Sequence, residues 1–349
     1  MWRFAALSLL TACATPANLT RVAFGSCADQ DRPQPIWDTI AAQDPDAFLF
    51  IGDNIYADTR DPATMRAAYD RLGAEPHYQR FREHVRVLPT WDDHDFGEND
   101  AGADYPMREA SQAMFLDFFG VPADDARRKR PGVYHAEVFG PPGQRVQVIL
   151  LDTRYFKSPW RPRPEGEHPF YGRWAPDDDP SATILGEAQW RWLAAQLAEP
   201  ADVRLIASGF QVISEDHGWE KWANFPHERR RLFETIRESG AKGVIFLSGD
   251  RHKGELSMMD GGVGYPLYDV TSSGLNKGFA TWFHFEKNRH RVAVMRVGNT
   301  FGQIEIDWNR EDPLIRMQVR FEDGAVAFEH RLPLSMLQPG AMPNIPPGH

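Results

Sequence analysis

Short apolar, β-branched runs recur along the chain at 21–24, 47–51, 85–91, 145–151, 203–207 and 244–247. Each reads as a buried strand. Between them, 34–43, 62–72, 108–119, 187–198 and 227–239 carry the spacing of helices. Strands alternating with helices predict a layered α/β domain. From residue 292 the pattern changes: 292–297, 303–306, 314–321 and 326–332 are strands without helices, joined by turns such as Asp323-Gly324. Such a meander predicts a second sheet laid against the first, with helices outside. The stretch 159–180, rich in Pro, Arg and Asp and without periodicity, predicts a surface loop placed to act as a lid. No repeat or composition break marks a further domain. The expected layout is a tether over 13–20, one domain over 21–335 and a Pro-bearing tail over 336–349.

Composition narrows the function. The 349 residues are 42% hydrophobic, with 22 Phe and 11 Trp, enough for a large core. The 49 acidic residues outnumber 39 basic ones, giving a formal charge of −10. That balance argues against a general grip on nucleic acid or anionic membrane, although a local cationic site could still draw an anionic substrate. The two cysteines, Cys13 and Cys27, cannot form a disulfide framework. The start of the chain, from Met1-Trp2-Arg3 through an apolar run to Leu10-Thr11-Ala12-Cys13, resembles a bacterial lipoprotein signal over 1–12. Cleavage before Cys13 would leave a lipidated cysteine as the sole membrane contact. Ala14 in place of Asp resembles the sorting signal for the outer membrane, here its periplasmic face. No later segment reaches the ~20 apolar residues of a membrane helix.

The chemistry concentrates at strand ends, where ligands bind in α/β sheets. The first strand runs into Gly25-Ser26-Cys27, the second into Gly52-Asp53-Asn54-Ile55-Tyr56. The third runs into Trp91-Asp92-Asp93-His94-Asp95 followed by Asn99-Asp100, and a later one into Ser248-Gly249-Asp250-Arg251-His252. Alone, Cys27 reads as a small core residue, and Asp53 and Tyr56 as a helix cap and a packed ring. Acidic residues straight after an apolar strand are costly to bury unless paired or metal-bound. Asp250 and His252, two apart in an extended segment, point to one side as a metal pair would. Neighbouring parallel strands lie ~4.8 Å apart, so successive strand ends could converge.

In this order the motifs resemble the PhoD-like alkaline phosphatases, a branch of the calcineurin-like metallophosphoesterases. The resemblance spans 24–274 and includes Leu151-Asp152-Thr153-Arg154-Tyr155, Leu185-Gly186 with Gln189-Trp190, Lys221-Trp222-Ala223-Asn224-Phe225-Pro226 and Ser272-Ser273-Gly274. Asp53-x-x-Tyr56 together with Trp91-Asp92-Asp93-His94-Asp95 is its most specific part. It implies a four-layer α-β-β-α sandwich, two packed mixed sheets flanked by helices. It also implies Fe3+ with Ca2+, against Zn2+ or Mn2+ as the alternative. Carried over by position, Cys27 and Tyr56 become iron ligands, Asp53 the carboxylate bridging two metals, and Asp93 a ligand of the second. Asp250 and His252 match the last metal-binding motif. His94 would act on the phosphate or leaving group, and Arg154 would clamp the phosphate. The chain departs from the family in having no Arg-Arg near its start, and in having Gln211 where the superfamily usually has another metal-binding His.

The expected reaction is hydrolysis of a phosphate mono- or diester by a metal-bound hydroxide. Ser26, Ser248 and Ser272 lack a dedicated His–Asp pair for a covalent route. A phospholipase D-type phosphodiesterase on the same centre is the nearest alternative. A lipid-anchored protein that binds phosphoesters without turnover is the alternative from another class. The patterns say nothing of oligomeric state.

Overall fold

In the computed structural model the described residues are 18–164, 172–278, 286–295 and 297–341. The expected signal and lipobox lie outside them, as do 165–171 of the expected lid and 342–349 of the tail.

Strands β1 (Arg21–Gly25), β2 (Ala47–Ile51) and β3 (Val87–Thr90) run parallel and adjacent. On the other side of β1 lies an antiparallel meander of β13 (Thr300–Asp307), β14 (Leu314–Phe321) and β15 (Val326–Pro333). These six strands form one sheet in the order β15-β14-β13-β1-β2-β3. The second sheet holds β4 (His135–Phe139), β5 (Val146–Leu150), β8 (Val203–Ser208), β9 (Val244–Ser248), β10 (Gly254–Asp260), β11 (Pro266–Ser272) and β12 (Arg291–Met295). Its order is β12-β10-β11-β9-β8-β5-β4, with β5, β8, β9 and β11 parallel. A short ladder, β6 (Arg161–Pro162) with β7 (Trp174–Ala175), stands within the expected lid.

Two mixed sheets and flanking helices are therefore present, but the partition differs from the sequence expectation. The C-terminal meander extends the first sheet, and only β12 joins the other. Two sheets exist because the buried strands themselves divide, β1–β3 in one and β5, β8 and β9 in the other. A run buried on both faces carries no record of its neighbour, so periodicity could not assign these partners.

Alternation along β2 shows how the layers are built. Ala47, Leu49 and Ile51 enter the core between the sheets, while Phe48 and Phe50 enter a second core beneath the outer helices. There Trp37 of α1 (Ile36–Ala41) meets Phe48, Phe50 and Phe81 with ring centroids 5.1, 5.4 and 5.0 Å away. The same core takes Met65 and Leu72 of α2 (Pro62–Ala74), Tyr78 and Phe81 of α3 (Pro76–His84), and Phe115 of α5 (Arg108–Phe118). Helix α3 has no counterpart in the sequence reading. Pro76 occupies its first turn, where proline costs little, and Glu75 accepts the Tyr78 N–H at 2.6 Å. The second sheet is covered by α6 (Gly186–Ala198) and α7 (Pro226–Ser239), which bury Trp190, Leu193, Leu232 and Ile236. Residues next to the expected domain limits also pack on the sheets. Leu19 is buried, its carbonyl accepting the Trp308 Nε1–H at 3.0 Å, and the Leu337 carbonyl accepts the Gly243 N–H at 2.8 Å. Among the described residues no helix is long and apolar enough to cross a membrane.

Candidate metal centre

Register brings the ends of the parallel strands together. Gly25 pairs with Phe50 and Ile51 with Thr90, so the segments carrying Cys27, Asp53 and Asp93 leave one sheet edge side by side. The second sheet meets this edge. Gly249, just after β9, donates its N–H to Gly209 just after β8 at 3.0 Å, and a Cβ on Gly249 would lie 2.7 Å from Ser26 Oγ. The site therefore closes across two sheets, not along one as strand spacing alone suggested. Gly52 is required by geometry: its φ is +111°, and a Cβ there would lie 2.5 Å from Asp92 Cβ. Cys27, Asp53, Asp250 and His252 themselves adopt left-handed φ of 61°, 48°, 62° and 51°. Each such non-glycine residue costs on the order of 1–3 kcal/mol and persists only where its surroundings over-determine it.

Asp53 is the hub. Its Oδ2 accepts from Cys27 Sγ at 3.2 Å and from the Tyr56 hydroxyl at 3.1 Å. Ligand-type atoms within 4.8 Å of one another form the sets Cys27–Asp53–His252, Asp53–Asp93–His94, Asp53–Asp92–Asp250 and Asp92–Asp93–Glu220. Asp53 Oδ1, Asp92 Oδ2, Asp93 Oδ1 and Asp250 Oδ2 are buried and have no hydrogen-bond partner. Arg154 Nη2 and Arg251 Nη1 stand 3.6 and 3.8 Å from the Asp93 and Asp250 oxygens, too far to hydrogen-bond. Buried carboxylate oxygens without hydrogen bonds are costly, so their clustering fits a bound cation. His252 fits as well. Its Nδ1 lies 2.7 Å from the Lys277 carbonyl, which fixes Nε2 as the nitrogen carrying the lone pair, and burial brings its pKa down to about 3.

Burial, then the Asp53 charge, push the Cys27 thiol and the Tyr56 phenol well above their ordinary values. Burial likewise lifts Asp53 to about 6, and burial with the Glu220 charge raises Asp250. Cation binding here would release those protons. Asp93 behaves oppositely. Burial acts to raise it, but Arg154, His94 and the Asp100 N–H, 2.6 Å from Oδ2, outweigh that and hold it below the usual carboxylate range.

A family model described as PhoD-like phosphatase matches residues 22–272. The chain belongs to the PhoD-like phosphatase family. It is accordingly a metal-dependent phosphoric ester hydrolase, with a phosphoester as substrate. A solved structure of PhoD matches with a TM-score of 0.70 at 15% identity, covering 97% of this chain and 74% of that one. A dimetal phosphatase from Danio rerio matches with a TM-score of 0.51 at 13% identity, covering 91% and 99%. At such identities the two structures show the shared fold. No curated protein matches.

The guanidinium of Arg154, expected to clamp the phosphate, is engaged by carboxylates in this PhoD-like protein. It is fully buried, donating through Nη1 and Nη2 to Glu220 at 2.6 Å each and through Nε to Asp92. Its Nη2 is also 3.6 Å from Asp93 Oδ1. The guanidinium already fills the Asp92–Asp93–Glu220 set as a fixed cation beneath the cluster. Sequence supplied its charge but not its burial. Gln211 is equally committed, donating to Glu255 at 2.9 Å and Thr271 at 2.8 Å. Asp95 is structural: it accepts the Asp92 N–H at 2.7 Å and ties Asn54 to the start of α4 (Asp93–Phe96).

Three residues escaped the sequence reading. Asp92 was seen only as part of a run, yet it faces Asp53 and Asp250. Glu220, lying between Trp219 and Lys221, carries no periodic signal. Asp58 lies 2.7 and 2.8 Å from His94 Nδ1 through its two oxygens. The His94 ring also lies against the Tyr56 ring, centroids 4.3 Å apart and planes tilted by 36°. Burial disfavours its charge, but Asp93, Asp53 and Asp58 prevail and lift the imidazole to about 11.

Proposed function

We propose that the chain hydrolyses phosphomonoesters and phosphodiesters by alkaline phosphatase D-type chemistry, using a ferric and a calcium ion held by Cys27, Asp53, Tyr56, Asp93, Asp250 and His252. The observation that carries this reading is the group of buried carboxylate oxygens around Asp53 that accept no hydrogen bond. Thiol, phenol and imidazole donors beside Asp53 suit a transition ion, whereas the all-carboxylate set of Asp53, Asp92 and Asp250 suits a hard ion such as calcium. Zinc or manganese is the alternative filling. Bound there, the cations supply a nucleophile at neutral pH and offset the charge that develops on the phosphoryl oxygens.

The chain's own residues set direction and move the proton. Asp58 holds His94 through Nδ1 and the Tyr56 ring supports its face, so Nε2 is the nitrogen left for the leaving-group oxygen. His94, kept protonated by its carboxylate neighbours, donates that proton to the departing alkoxide. Arg154 neutralises Asp92 and Glu220 below the reacting centre.

Initial rates on a chromogenic monoester and a bis-ester, with and without chelator, test the reading. Hydrolysis of both, lost on chelation and restored by metal, is expected. Hydrolysis of the bis-ester alone would restrict the activity to diesters, and turnover of neither would favour a binding protein. A lipid on Cys13 is part of the same proposal and rests on the Leu10-Thr11-Ala12-Cys13 sequence. Cys13→Ala is expected to leave the outer-membrane fraction, and its retention there would count against the anchor.

A further inference from the structure

The turn between β9 and β10 alternates in function. Asp250 groups with Asp53 and Asp92, and His252 with Cys27 and Asp53, so one turn serves both cation positions. Arg251 and Lys253 reach toward Glu286, and Arg251 Nη1 also lies 3.8 Å from Asp250 Oδ2. The two carboxylate oxygens of Glu286 accept from Arg251 Nη2 and Lys253 Nζ at 2.9 Å each. Lys253 Nζ also lies 2.9 Å from Glu255 Oε2, which takes the Gln211 amide at 2.9 Å. Gln211 Oε1 in turn accepts from His217 Nε2 at 3.0 Å, and that nitrogen is 3.7 Å from Glu286. The contacts close into a ring linking three chain segments, 211–217, 251–255 and Glu286.

The ring is inside the protein. The side chains of Lys253 and Glu255 are fully buried, and that of Glu286 is 8% exposed. His217 takes part as a neutral ring, because the Trp219 N–H donates to its Nδ1 at 3.2 Å and burial holds its pKa well below the ordinary value. Two successive ligand-type residues in left-handed backbone need such an anchor.

We propose that Glu286 is a positioning residue of the metal centre: by anchoring Arg251 and Lys253 it fixes the turn that presents Asp250 to one cation position and His252 to the other. The inference rests on the cation reading above. Glu286 touches neither ligand and acts through the residues it holds, by their backbone and by the Arg251 guanidinium that it keeps 3.8 Å from Asp250 Oδ2.

The test is Mn2+ titration of chelator-stripped full-length protein, followed by loss of the free-ion paramagnetic resonance signal. Wild-type protein that takes up no Mn2+ would remove the cation reading itself. Given wild-type binding, Glu286→Gln is expected to bind about 10–100-fold more weakly, the range for losing an outer support of a metal site. Adding Lys253→Met to that variant restores net charge but leaves Arg251 unanchored, so binding should stay weak. Recovery of wild-type affinity in the double variant would make the effect one of charge and overturn the proposal, as would wild-type affinity in Glu286→Gln. If Glu286→Gln does not fold, Glu286→Asp keeps the charge on a shorter arm. Weaker Mn2+ binding supports the anchor there, and unchanged binding overturns it.

Discussion

Arg154→Met tests whether the guanidinium is a buried counter-ion or a substrate contact. The substitution keeps an unbranched side chain of similar reach and removes the charge. It strands Glu220, which loses two bonds of 2.6 Å, together with Asp92 and Asp93. Removing one partner of a buried ion pair costs about 3–5 kcal/mol. An unfolding entropy of roughly 2.1 cal/mol/K per residue gives about 0.7 kcal/mol/K for a chain of this length, so Tm should fall by about 4–7 °C. The deficit depends on pH with a definite sign. In the wild type Asp93 is raised by burial but lowered further by Arg154 and its other partners, ending below the usual range. A depressed carboxylate contributes stability above its unfolded value of ~3.9 and loses it as pH falls through the folded value. The variant lacks that contribution, so the gap from wild type should be widest near neutrality and shrink below about pH 5 as the stranded carboxyls protonate. Thermal unfolding of chelator-treated protein, read by circular dichroism at both pH values, measures this. An unchanged Tm with only KM raised would refute the counter-ion role and restore the phosphate clamp.

Other perturbations separate the remaining roles. His94→Ala should lower turnover by ~100-fold or more while metal content is retained; a fully active variant would remove the proton-donor assignment. Asp58→Asn leaves the ring in place with a weaker partner and should cost roughly 10–100-fold in kcat, measured with the same ester. Burial, reinforced by Arg251 and Arg163, brings the Lys221 ammonium down to about 7. A lowered lysine contributes nothing unfavourable above its unfolded value of ~10.4, and its penalty grows as pH falls toward the folded value. Lys221→Met should therefore raise Tm near about pH 6.5 and lose that benefit by about pH 10, as a thermal-shift series would reveal.

The strand ends were legible because a buried apolar run followed at once by Asp, Cys or His is costly unless something compensates it. The strand-end pattern singled out the segments that carry Cys27, Asp53, Tyr56, Asp93, Asp250 and His252, and the family resemblance proposed their roles as ligands. The structure brings these segments together where the two sheets meet. Sheet membership was not legible, since β1–β3 and β5, β8 and β9 are equally apolar on both faces. Helix α3 was not legible because its nine residues bury only Tyr78 and Phe81, too few positions to set a helical period. Asp58 and Glu220 lie in segments without periodicity, where only three dimensions reveal that one meets His94 and the other Arg154.

The central claim is that Asp53 holds together a cation cluster. Its most direct measurement is the metal content and visible spectrum of gently purified wild-type protein beside Asp53→Asn and Tyr56→Phe. Two cations per wild-type chain are predicted, one for each ligand set that Asp53 joins to the turn at Asp250 and His252. Both should be lost or weakened in Asp53→Asn, and a charge-transfer band present in the wild type should vanish in Tyr56→Phe. An active wild-type protein without metal, or an Asp53→Asn protein with its full complement, would contradict the account.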